Sequence, residues 1–307
     1  MRDGPRLNRR TLIGAMAAAA ALRPAPGRSQ SRTLIDKRIP SSGEALPAVG
    51  LGTWITFNVG DDPVARAACA EVMRNFFAAG GRIIDSSPMY GSAQAVIGAG
   101  LGALGTPQGL FSADKVWISS GARGPEQIER SRRLWGVPRF DLLQVHNLLA
   151  WEEHLDTLQA MKAAGRLRYV GITTSEGRRH REFEQVMRSR PIDFVQVTYN
   201  ILDRAVEKRL LPLARERGIA VIANRPYREG PLIRRLKKHP LPAWAADADC
   251  ADWAQFLLKF IVSHPAVTCA IPATTSVAHV RENMGAAYGR LPDEAVRRRM
   301  AAHVAGL

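Results

Sequence analysis

Four side chains of the types that exchange protons in catalysis lie where successive buried segments of the sequence meet polar loops. Asp85 and Tyr90 follow one apolar run, Lys115 begins another, and His146 ends a third. Asp85 and Lys115 can neutralise each other, which matters because an unpaired charge is costly to bury. Any one of these residues alone could be a helix cap or a satisfied core neighbour. Four together, with Tyr90 five positions after Asp85, predict a common site.

Short apolar segments alternate with longer stretches at helical spacing, and this alternation indicates the elements that position the four side chains. The apolar residues run continuously, as expected for strands that helices cover or a barrel encloses. Eight strand–helix units in about 260 residues predict a (β/α)8 TIM barrel, an α/β fold with its reactive residues at the carboxyl ends of the strands. The predicted strands are Ala48–Trp54, Arg82–Ser86, Lys115–Ser119, Leu142–His146, Tyr169–Thr173, Phe194–Tyr199, Ala220–Asn224 and Thr268–Ala273.

Three further segments refine this architecture. Gly50-Leu51-Gly52 lacks the third glycine of a dinucleotide-binding turn and no helix follows it directly, which argues against a doubly wound sheet. Thr33–Ile39 and Glu44–Pro47 flank turn residues and predict a short N-terminal β-hairpin that plugs the barrel bottom. Pro226–Pro242 is predicted to be a long loop at the mouth.

The first 28 residues differ from the rest and are expected to be an export signal with a leader. Arg9 and Arg10 precede the apolar run Leu12–Leu22, which is shorter than the roughly 20 residues that span a bilayer. The twin arginine favours the Tat route, and Ala19–Ala21 fits a cleavage site. Residues 29–307 are then expected to form one barrel domain that is exported or periplasmic.

The composition excludes several classes of protein. The 307-residue chain is 46% hydrophobic and 23% charged, which excludes a disordered or disulfide-stapled chain. The net charge is +15, but basic clusters such as Arg297–Arg299 are short, and no nucleic-acid partner is expected. The cysteines Cys69, Cys250 and Cys269 lack metal-ligand spacing, and no metal site is expected.

The motifs around the four side chains resemble those of the aldo-keto reductases. The resemblance rests on Gly52-Thr53-Trp54, Asp85-x4-Tyr90-Gly91, the isolated Lys115 and Asp141–His146, and it extends from about Leu46 to about Asn283. Gln144–Leu149, Asn224–Pro226 and Ser263–Ala273 also resemble a Tat-exported bacterial branch of that family. The resemblance implies reversible hydride transfer between a nicotinamide cofactor and an aldehyde or ketone.

The resemblance also implies a role for each side chain. Tyr90 is expected to be the general acid that protonates the carbonyl oxygen. Lys115 is expected to lower the pKa of the phenol from its ordinary value of about 10, while Asp85 holds the ammonium in place. His146 is expected to hydrogen-bond and align the carbonyl, and Trp54 to form a wall of the substrate pocket.

The same resemblance assigns a cofactor site along the barrel mouth. Thr173, Thr174 and Gln196 are expected at the nicotinamide carboxamide, the segment after the seventh strand at the pyrophosphate, and the segment after the eighth at the adenosine. The expected cofactor residues are Gly52, Thr53, Thr173, Thr174, Gln196, Asn224, Arg225, Pro226, Arg228, Pro272, Ala273, Thr274, His279, Glu282 and Asn283.

Some of these positions depart from the family's pattern. Asn224 replaces the aromatic residue that stacks on the nicotinamide, and it supplies no π face. Thr174 stands where Asn is common. Ala273 and His279 stand where many members place Lys and Arg for the 2′-phosphate of NADPH. The resemblance to the family still favours NADPH over NADH as the cofactor.

Two alternative functions remain open from the sequence. A non-catalytic barrel that senses nucleotide, as a binding or regulatory subunit, is favoured by the departures and opposed by the complete set of four side chains. A basic, envelope-associated interaction protein would explain none of the residues at the barrel mouth. The expected partners are a small carbonyl substrate and, through the leader, the Tat export machinery; the protein is otherwise expected to be a monomer.

Overall fold

Eight strands alternate with α-helices after a short two-stranded hairpin. The computed structural model describes Met1 and residues 33–307, so the predicted export signal lies, apart from Met1, outside the described residues. The strands are β1 (Asp36–Arg38), β2 (Ala45–Pro47), β3 (Leu51–Gly52), β4 (Ile83–Asp85), β5 (Phe111–Val116), β6 (Phe140–Val145), β7 (Leu167–Thr173), β8 (Phe194–Thr198), β9 (Ala220–Asn224) and β10 (Cys269–Ala270). The α-helices are α1 (Pro63–Ala78), α2 (Ala93–Leu104), α3 (Gly124–Trp135), α4 (Trp151–Ala163), α5 (His180–Ser189), α6 (Leu210–Arg217), α7 (Pro231–Leu236), α8 (Trp253–Val262), α9 (Val277–Gly285) and α10 (Glu294–Ala305).

The strands β3 to β10 form one parallel sheet in which each strand pairs with the next along the chain. Parallel bridges join Val49 to Ala270 and Gly52 to Ala273, which brings the first and last strands together. The N–H of Gly50 donates to the carbonyl of Ala270 at 2.8 Å across this seam. The sheet is therefore closed, and the predicted (β/α)8 barrel is confirmed.

The seam requires glycine at position 52. A Cβ there would lie 2.7 Å from the carbonyl oxygen of Ile271, which is too close for any other residue without a backbone shift. The N–H of Gly52 instead donates to the carbonyl of Pro272 at 3.0 Å. The two strands that meet here are short, with only two residues each in regular pairing. The predicted strands Ala48–Trp54 and Thr268–Ala273 are thus longer than the observed ones.

The hairpin formed by β1 and β2 closes the bottom of the barrel. The two strands pair antiparallel, and the fully buried Ile39 and Leu46 belong to the cluster of side chains that fills the barrel interior, with Phe111, Phe194 and Ile222. Layers of large apolar side chains make such an interior a packed core rather than a pore. The hairpin plug predicted from the sequence is present.

The third barrel strand corrects one prediction. It runs over Phe111–Val116 rather than Lys115–Ser119, so Lys115 lies near the end of the strand and not at its start. Ser112 and Asp114 interrupt the apolar pattern, but both are buried. Ser112 donates to the carboxylate of Asp141 at 2.9 Å, and Asp114 accepts from the amide of Gln94 at 2.7 Å. These partners, distant along the chain, satisfy the buried polar groups of Ser112 and Asp114. The two polar residues interrupt the apolar pattern from which the strand would have been predicted.

The segment Pro226–Pro242 also differs from its prediction as a plain loop, because it contains the short helix α7. Pro231 opens this helix at a position where its missing N–H costs nothing. None of the helices in residues 33–307 is long and apolar enough to cross a bilayer.

Candidate active site

A buried ion pair joins the carboxyl ends of β4 and β5. Asp85 ends β4 and Lys115 is the next-to-last residue of β5, with Nζ of Lys115 2.6 Å from Oδ2 of Asp85. The side chains of Lys115 and Asp85 are 0% and 2% exposed, so each charge depends on the other for its stabilisation. Burial by itself would lower the pKa of Lys115, but the charge of Asp85 raises it above the ordinary value. The ammonium is therefore charged at neutral pH.

Two amides hold the second oxygen of Asp85. Gln196 donates to Oδ1 at 2.8 Å, and Nε2 of Gln144 lies 3.4 Å from the same atom. The carboxylate is thus oriented from three strands as well as neutralised. Gln144 was not among the residues expected from the sequence. It stands two positions before His146, and side chains two apart on a strand share a face, which is the signal that could have found it.

Tyr90 lies on the turn after β4, beside the buried ammonium. Its N–H donates to the carbonyl of Ser87 at 2.9 Å, and Nζ of Lys115 lies 5.1 Å from the centre of its ring. Burial raises the pKa of Tyr90 above its ordinary value, while the charge and hydrogen bond of Lys115 oppose this without reversing it. Lys115 therefore acts on the phenol in the expected direction, but burial outweighs it, and Tyr90 carries its proton at neutral pH.

His146 completes the group at the end of β6. Its ring lies edge-on to that of Tyr90, with the two ring centres 5.8 Å apart, and its Nδ1 is 2.8 Å from Oγ of Ser87. Burial lowers the pKa of His146 to about 2, and the positive charge of Lys115 contributes to the lowering. The imidazole is consequently neutral. The structure thus brings together the four side chains that the sequence singles out.

The expected nicotinamide contacts cluster at the carboxyl ends of β7, β8 and β9. Asn224 donates to the carbonyl of Thr174 at 3.1 Å, and its Nδ2 lies 3.4 Å from Oε1 of Gln196. The hydroxyl of Thr174 donates to the carbonyl of Arg178 at 2.6 Å. Thr173 accepts from the N–H of Asn147 at 3.1 Å. These polar groups form one patch next to Asp85, through Gln196.

The residues expected after the first and last strands lie at the barrel seam. The hydroxyl of Thr53 donates to the carbonyl of Asp85 at 2.9 Å, which ties the segment Gly52–Thr53 to the ion pair. Pro272 is buried and Ala273 is exposed. Both segments therefore face each other at the carboxyl end of the barrel.

The two arginines expected at the pyrophosphate are paired with carboxylates. Arg225 forms an ion pair with Glu176, on the loop after β7, and another with Glu229 at 2.5 Å. Its guanidinium also lies 6.0 Å from the ring centre of Trp54, which is half-buried at the mouth. Nε of Arg228 lies 3.1 Å from the carboxylate of Asp203. Pro226, between the two arginines, is buried.

The residues expected at the adenosine end lie on or just before α9. Thr274 accepts from the N–H of Ser276 at 3.0 Å and lies 3.4 Å from Nδ1 of His279. Asn283 is buried and accepts a hydrogen bond from the hydroxyl of Tyr227 at 2.6 Å. Glu282 pairs with Lys237 at 3.6 Å. The helix α9 is therefore held against the segment after β9 by the contacts of Asn283 with Tyr227 and of Glu282 with Lys237.

Three exposed apolar residues, called here the apolar rim, lie on the loops after the first three strands of the barrel. Ile55, Met89 and Trp117 are large apolar residues with 63%, 40% and 40% of their surface exposed, and they follow β3, β4 and β5 respectively. The ring of Trp117 lies 6.5 Å from that of His146. Exposed apolar residues grouped around polar groups mark ligand-binding grooves. The sequence pattern does not single out these three residues.

Comparison with known proteins places this arrangement in a family. The model of the Aldo/keto reductase family matches residues 48–303. The chain is 30% identical to Methylglyoxal reductase YeaE of Escherichia coli over 80% of this chain and 88% of that protein. It is 26% identical to the NADH-specific methylglyoxal reductase of the same organism, over 68% of this chain and 73% of that protein.

A solved structure shows the same fold with a bound nucleotide. The aldo/keto reductase from Klebsiella pneumoniae, in complex with NADP and acetate, is 26% identical and superposes with a TM-score of 0.72 over 84% of this chain and 93% of that one. The similarity extends over nearly the whole barrel.

Proposed function

The chain belongs to the aldo/keto reductase family, and on that premise we propose that its barrel mouth reduces the carbonyl group of a small aldehyde or ketone with a nicotinamide dinucleotide. NAD(P)H-dependent carbonyl reduction is the activity that the family and the reductase relatives support. The observation that supports this assignment of the reaction to the barrel mouth is the buried contact of 2.6 Å between Lys115 and Asp85. Tyr90 and His146 lie beside this pair.

Tyr90 is the proposed general acid. A phenol that donates a proton must carry one at the start of the reaction, and burial raises the pKa of Tyr90 so that it does. When the proton leaves, a phenolate forms near the ammonium of Lys115, whose charge stabilises it. Asp85 holds that ammonium, and Gln196 and Gln144 hold Asp85. The preorganised charges need not rearrange as the proton moves.

His146 is proposed to bind the carbonyl oxygen without giving up a proton. Burial lowers its pKa to about 2, which keeps the ring neutral at neutral pH. A neutral imidazole donates a hydrogen bond from one ring nitrogen and accepts at the other. The edge-on contact with Tyr90 supports this role, because both rings would then lie close to the same carbonyl oxygen.

The residues present fit a nicotinamide dinucleotide. A bound NAD(P)H would supply the hydride that the carbonyl carbon receives. Thr173 accepts from Asn147, so its hydroxyl hydrogen can donate to a carboxamide, and Oε1 of Gln144 is buried without a partner in residues 33–307. Arg225 and Arg228 would contact the pyrophosphate by exchanging carboxylate partners for phosphate oxygens. Thr274, His279, Glu282 and Asn283 would flank the adenosine.

We further propose NADPH as the preferred dinucleotide. The structural relative from Klebsiella pneumoniae holds NADP, whereas one curated relative is NADH-specific. Ala273 offers no charge to a 2′-phosphate, and the arginine on α9 is Arg281. Arg281→Ala should raise KM for NADPH several-fold and leave KM for NADH unchanged. Equal kcat/KM for both dinucleotides in the unmodified protein would contradict the preference.

The rim of Ile55, Met89 and Trp117 favours a carbonyl compound with a small apolar body. Methylglyoxal is the first substrate to test because two relatives are named for its reduction. We propose that the protein acts as a monomer on such substrates.

The decisive experiment follows dinucleotide oxidation with methylglyoxal and a panel of aldehydes and ketones. We expect turnover in the unmodified protein and a loss of about 10²–10⁴-fold in kcat/KM in Tyr90→Phe. The Kd for the dinucleotide, measured by fluorescence titration, should be the same in both. Turnover retained by Tyr90→Phe would overturn the proposed acid. Nucleotide binding with no turnover on any carbonyl would instead favour the nucleotide-sensing alternative.

We also propose that the protein is exported through the Tat route. The support is the twin arginine Arg9-Arg10 before an apolar run of Leu12–Leu22. Cell fractionation should find the full-length product outside the cytoplasm, and the pair Arg9→Lys with Arg10→Lys should retain it inside. Equal distribution of the two proteins would refute the route.

A further inference from the structure

A buried hydroxyl lies directly behind the catalytic imidazole. Oγ of Ser87 is 2.8 Å from Nδ1 of His146, and Ser87 is fully buried. The mechanism proposed above uses the other ring nitrogen of His146 and does not use Ser87. Which ring nitrogen carries the hydrogen decides whether His146 can donate to a carbonyl oxygen at all.

The remaining hydrogen bond of Ser87 restricts its role. The N–H of Met89 donates to Oγ of Ser87 at 3.2 Å, so this oxygen already accepts one hydrogen. Within residues 33–307, Nδ1 of His146 is the acceptor in reach of the hydroxyl hydrogen. If Nδ1 carried a hydrogen, Ser87 would accept twice and its own hydrogen would be buried without a partner. Such a buried donor costs about 1–3 kcal/mol.

We propose that Ser87 is a positioning residue that donates to Nδ1 of His146 and so places the imidazole hydrogen on Nε2. The Nε2–H is then the donor that the carbonyl oxygen meets. The turn that contains Ser87 also contains Tyr90, because the N–H of Tyr90 donates to the carbonyl of Ser87. One short turn therefore carries the acid and aligns the neighbouring hydrogen-bond donor. The catalytic consequence rests on the proposed function, but the tautomer does not.

Nitrogen NMR of the ¹⁵N-histidine-labelled protein tests the tautomer directly. His146 is identified by the signal that disappears in His146→Gln. We expect the unmodified protein to show the hydrogen on Nε2 and a hydrogen-bonded acceptor at Nδ1. In Ser87→Ala, the Nδ1 resonance should shift towards that of an acceptor without a hydrogen bond. A hydrogen on Nδ1 in the unmodified protein would overturn the proposal, as would an unchanged Nδ1 resonance in Ser87→Ala.

The adjacent serine provides a matched control. Ser86 is equally buried, and its Oγ has no hydrogen-bond partner in residues 33–307. Ser86→Ala removes the same atoms one position away and should leave the His146 resonances unchanged. Ser87→Thr retains the hydroxyl and should restore the resonance that Ser87→Ala loses. A shift of equal size in Ser86→Ala would mean that general loosening of the turn, and not the hydrogen bond, moves the signal.

Kinetics provide the second readout. Loss of one hydrogen bond should lower kcat/KM for methylglyoxal about tenfold in Ser87→Ala, mainly through a higher KM for the carbonyl, with the dinucleotide Kd unchanged. An unchanged KM would contradict the positioning role. If the unmodified protein reduces no carbonyl, the proposed function fails while the NMR result still decides the tautomer. If it reduces carbonyls with the hydrogen on Nδ1, only the present proposal fails.

Discussion

The two ends of the barrel both hold a carboxylate paired with cationic side chains, but they differ in how many cations share its charge. At the carboxyl end, Asp85 faces the single ammonium of Lys115, and both side chains are almost inaccessible to water. At the amino end, Glu44 of the hairpin pairs with Arg82 at 3.1 Å and also with Arg168. These three side chains are 19% to 32% exposed.

The number of partners matches the role of each end: the amino end closes the barrel, and the carboxyl end holds the candidate active site. Tyr169 also donates to Glu44 at 2.8 Å, and Arg168 pairs with Asp141 at 2.7 Å. Loss of one partner at the amino end leaves other partners and some water. Loss of Lys115 at the carboxyl end leaves Asp85 with its two neutral amide partners but with no opposite charge and almost no water. The amino end is therefore built to tolerate change, and the carboxyl end to hold one proton arrangement.

The largest expected effect is at the carboxyl end. Lys115→Met should lower kcat/KM about 10²–10⁴-fold and the free energy of unfolding by about 3–5 kcal/mol, because Asp85 is left charged and buried. Adding Asp85→Asn should restore most of the stability and none of the activity. Urea unfolding and steady-state kinetics on the same samples measure both. A double variant as unstable as Lys115→Met would contradict the comparison between the two ends.

A second carboxyl group behind Lys115 should make stability depend on pH. Burial raises the pKa of Asp114 from 3.8 to about 7, opposed by its hydrogen bond with the N–H of Lys115. The folded state therefore keeps a proton that the unfolded chain has lost, and stability should fall as pH rises from about 4 to about 7. Asp114→Asn should remove this slope and be about 1–3 kcal/mol more stable at pH 8. Urea unfolding at several pH values checks it; a slope unchanged in Asp114→Asn would refute the assignment.

The smallest expected effect is at the amino end. Glu44→Gln should lower the free energy of unfolding by about 1–2 kcal/mol and leave kcat and KM unchanged. Burial would raise the pKa of Glu44, but Tyr169 and the two arginines bring it below the ordinary 4.5. Its contribution should thus be complete above pH 4.5 and be lost as pH falls through the lower folded value.

The exposed pair of Glu71 and Arg74 is the control for Glu44. Glu71→Gln should change stability by less than about 0.5 kcal/mol, because water already solvates both groups. Equal losses in Glu44→Gln and Glu71→Gln, measured by urea unfolding, would show that the hairpin network adds nothing beyond a surface pair.

The sequence predicts those parts of the molecule whose cause is local. Ala220–Asn224 was predicted with its observed bounds because Ala-Val-Ile-Ala is an uninterrupted apolar run. The strand Phe111–Val116 was misplaced because Ser112 and Asp114 find their partners at Asp141 and Gln94, far along the chain. The local pattern of apolar and polar residues does not indicate hydrogen bonds to residues so far along the chain.

The same limit applies to the site. Residue types and strand ends indicated Asp85, Tyr90, Lys115 and His146. The contact of Ser87 with His146 joins positions 59 apart, and that of Gln196 with Asp85 joins positions 111 apart. The net pKa direction of Tyr90 was missed because burial, which outweighs the nearby ammonium, depends on the whole packed barrel. The cofactor roles assigned by resemblance stay predictions.

The seam at Gly52 gives the barrel a weak join. Two strands of only two residues close the ring there, and the segments expected to hold the dinucleotide, around Thr53 and Ala273, lie on opposite sides of it. A ligand that contacts both segments would stabilise the closure of the barrel at this seam. Hydrogen–deuterium exchange at the amides of Gly50 and Ala270 would then slow when the ligand is bound. Ligand occupancy would thus govern how often the seam between the first and last strands opens.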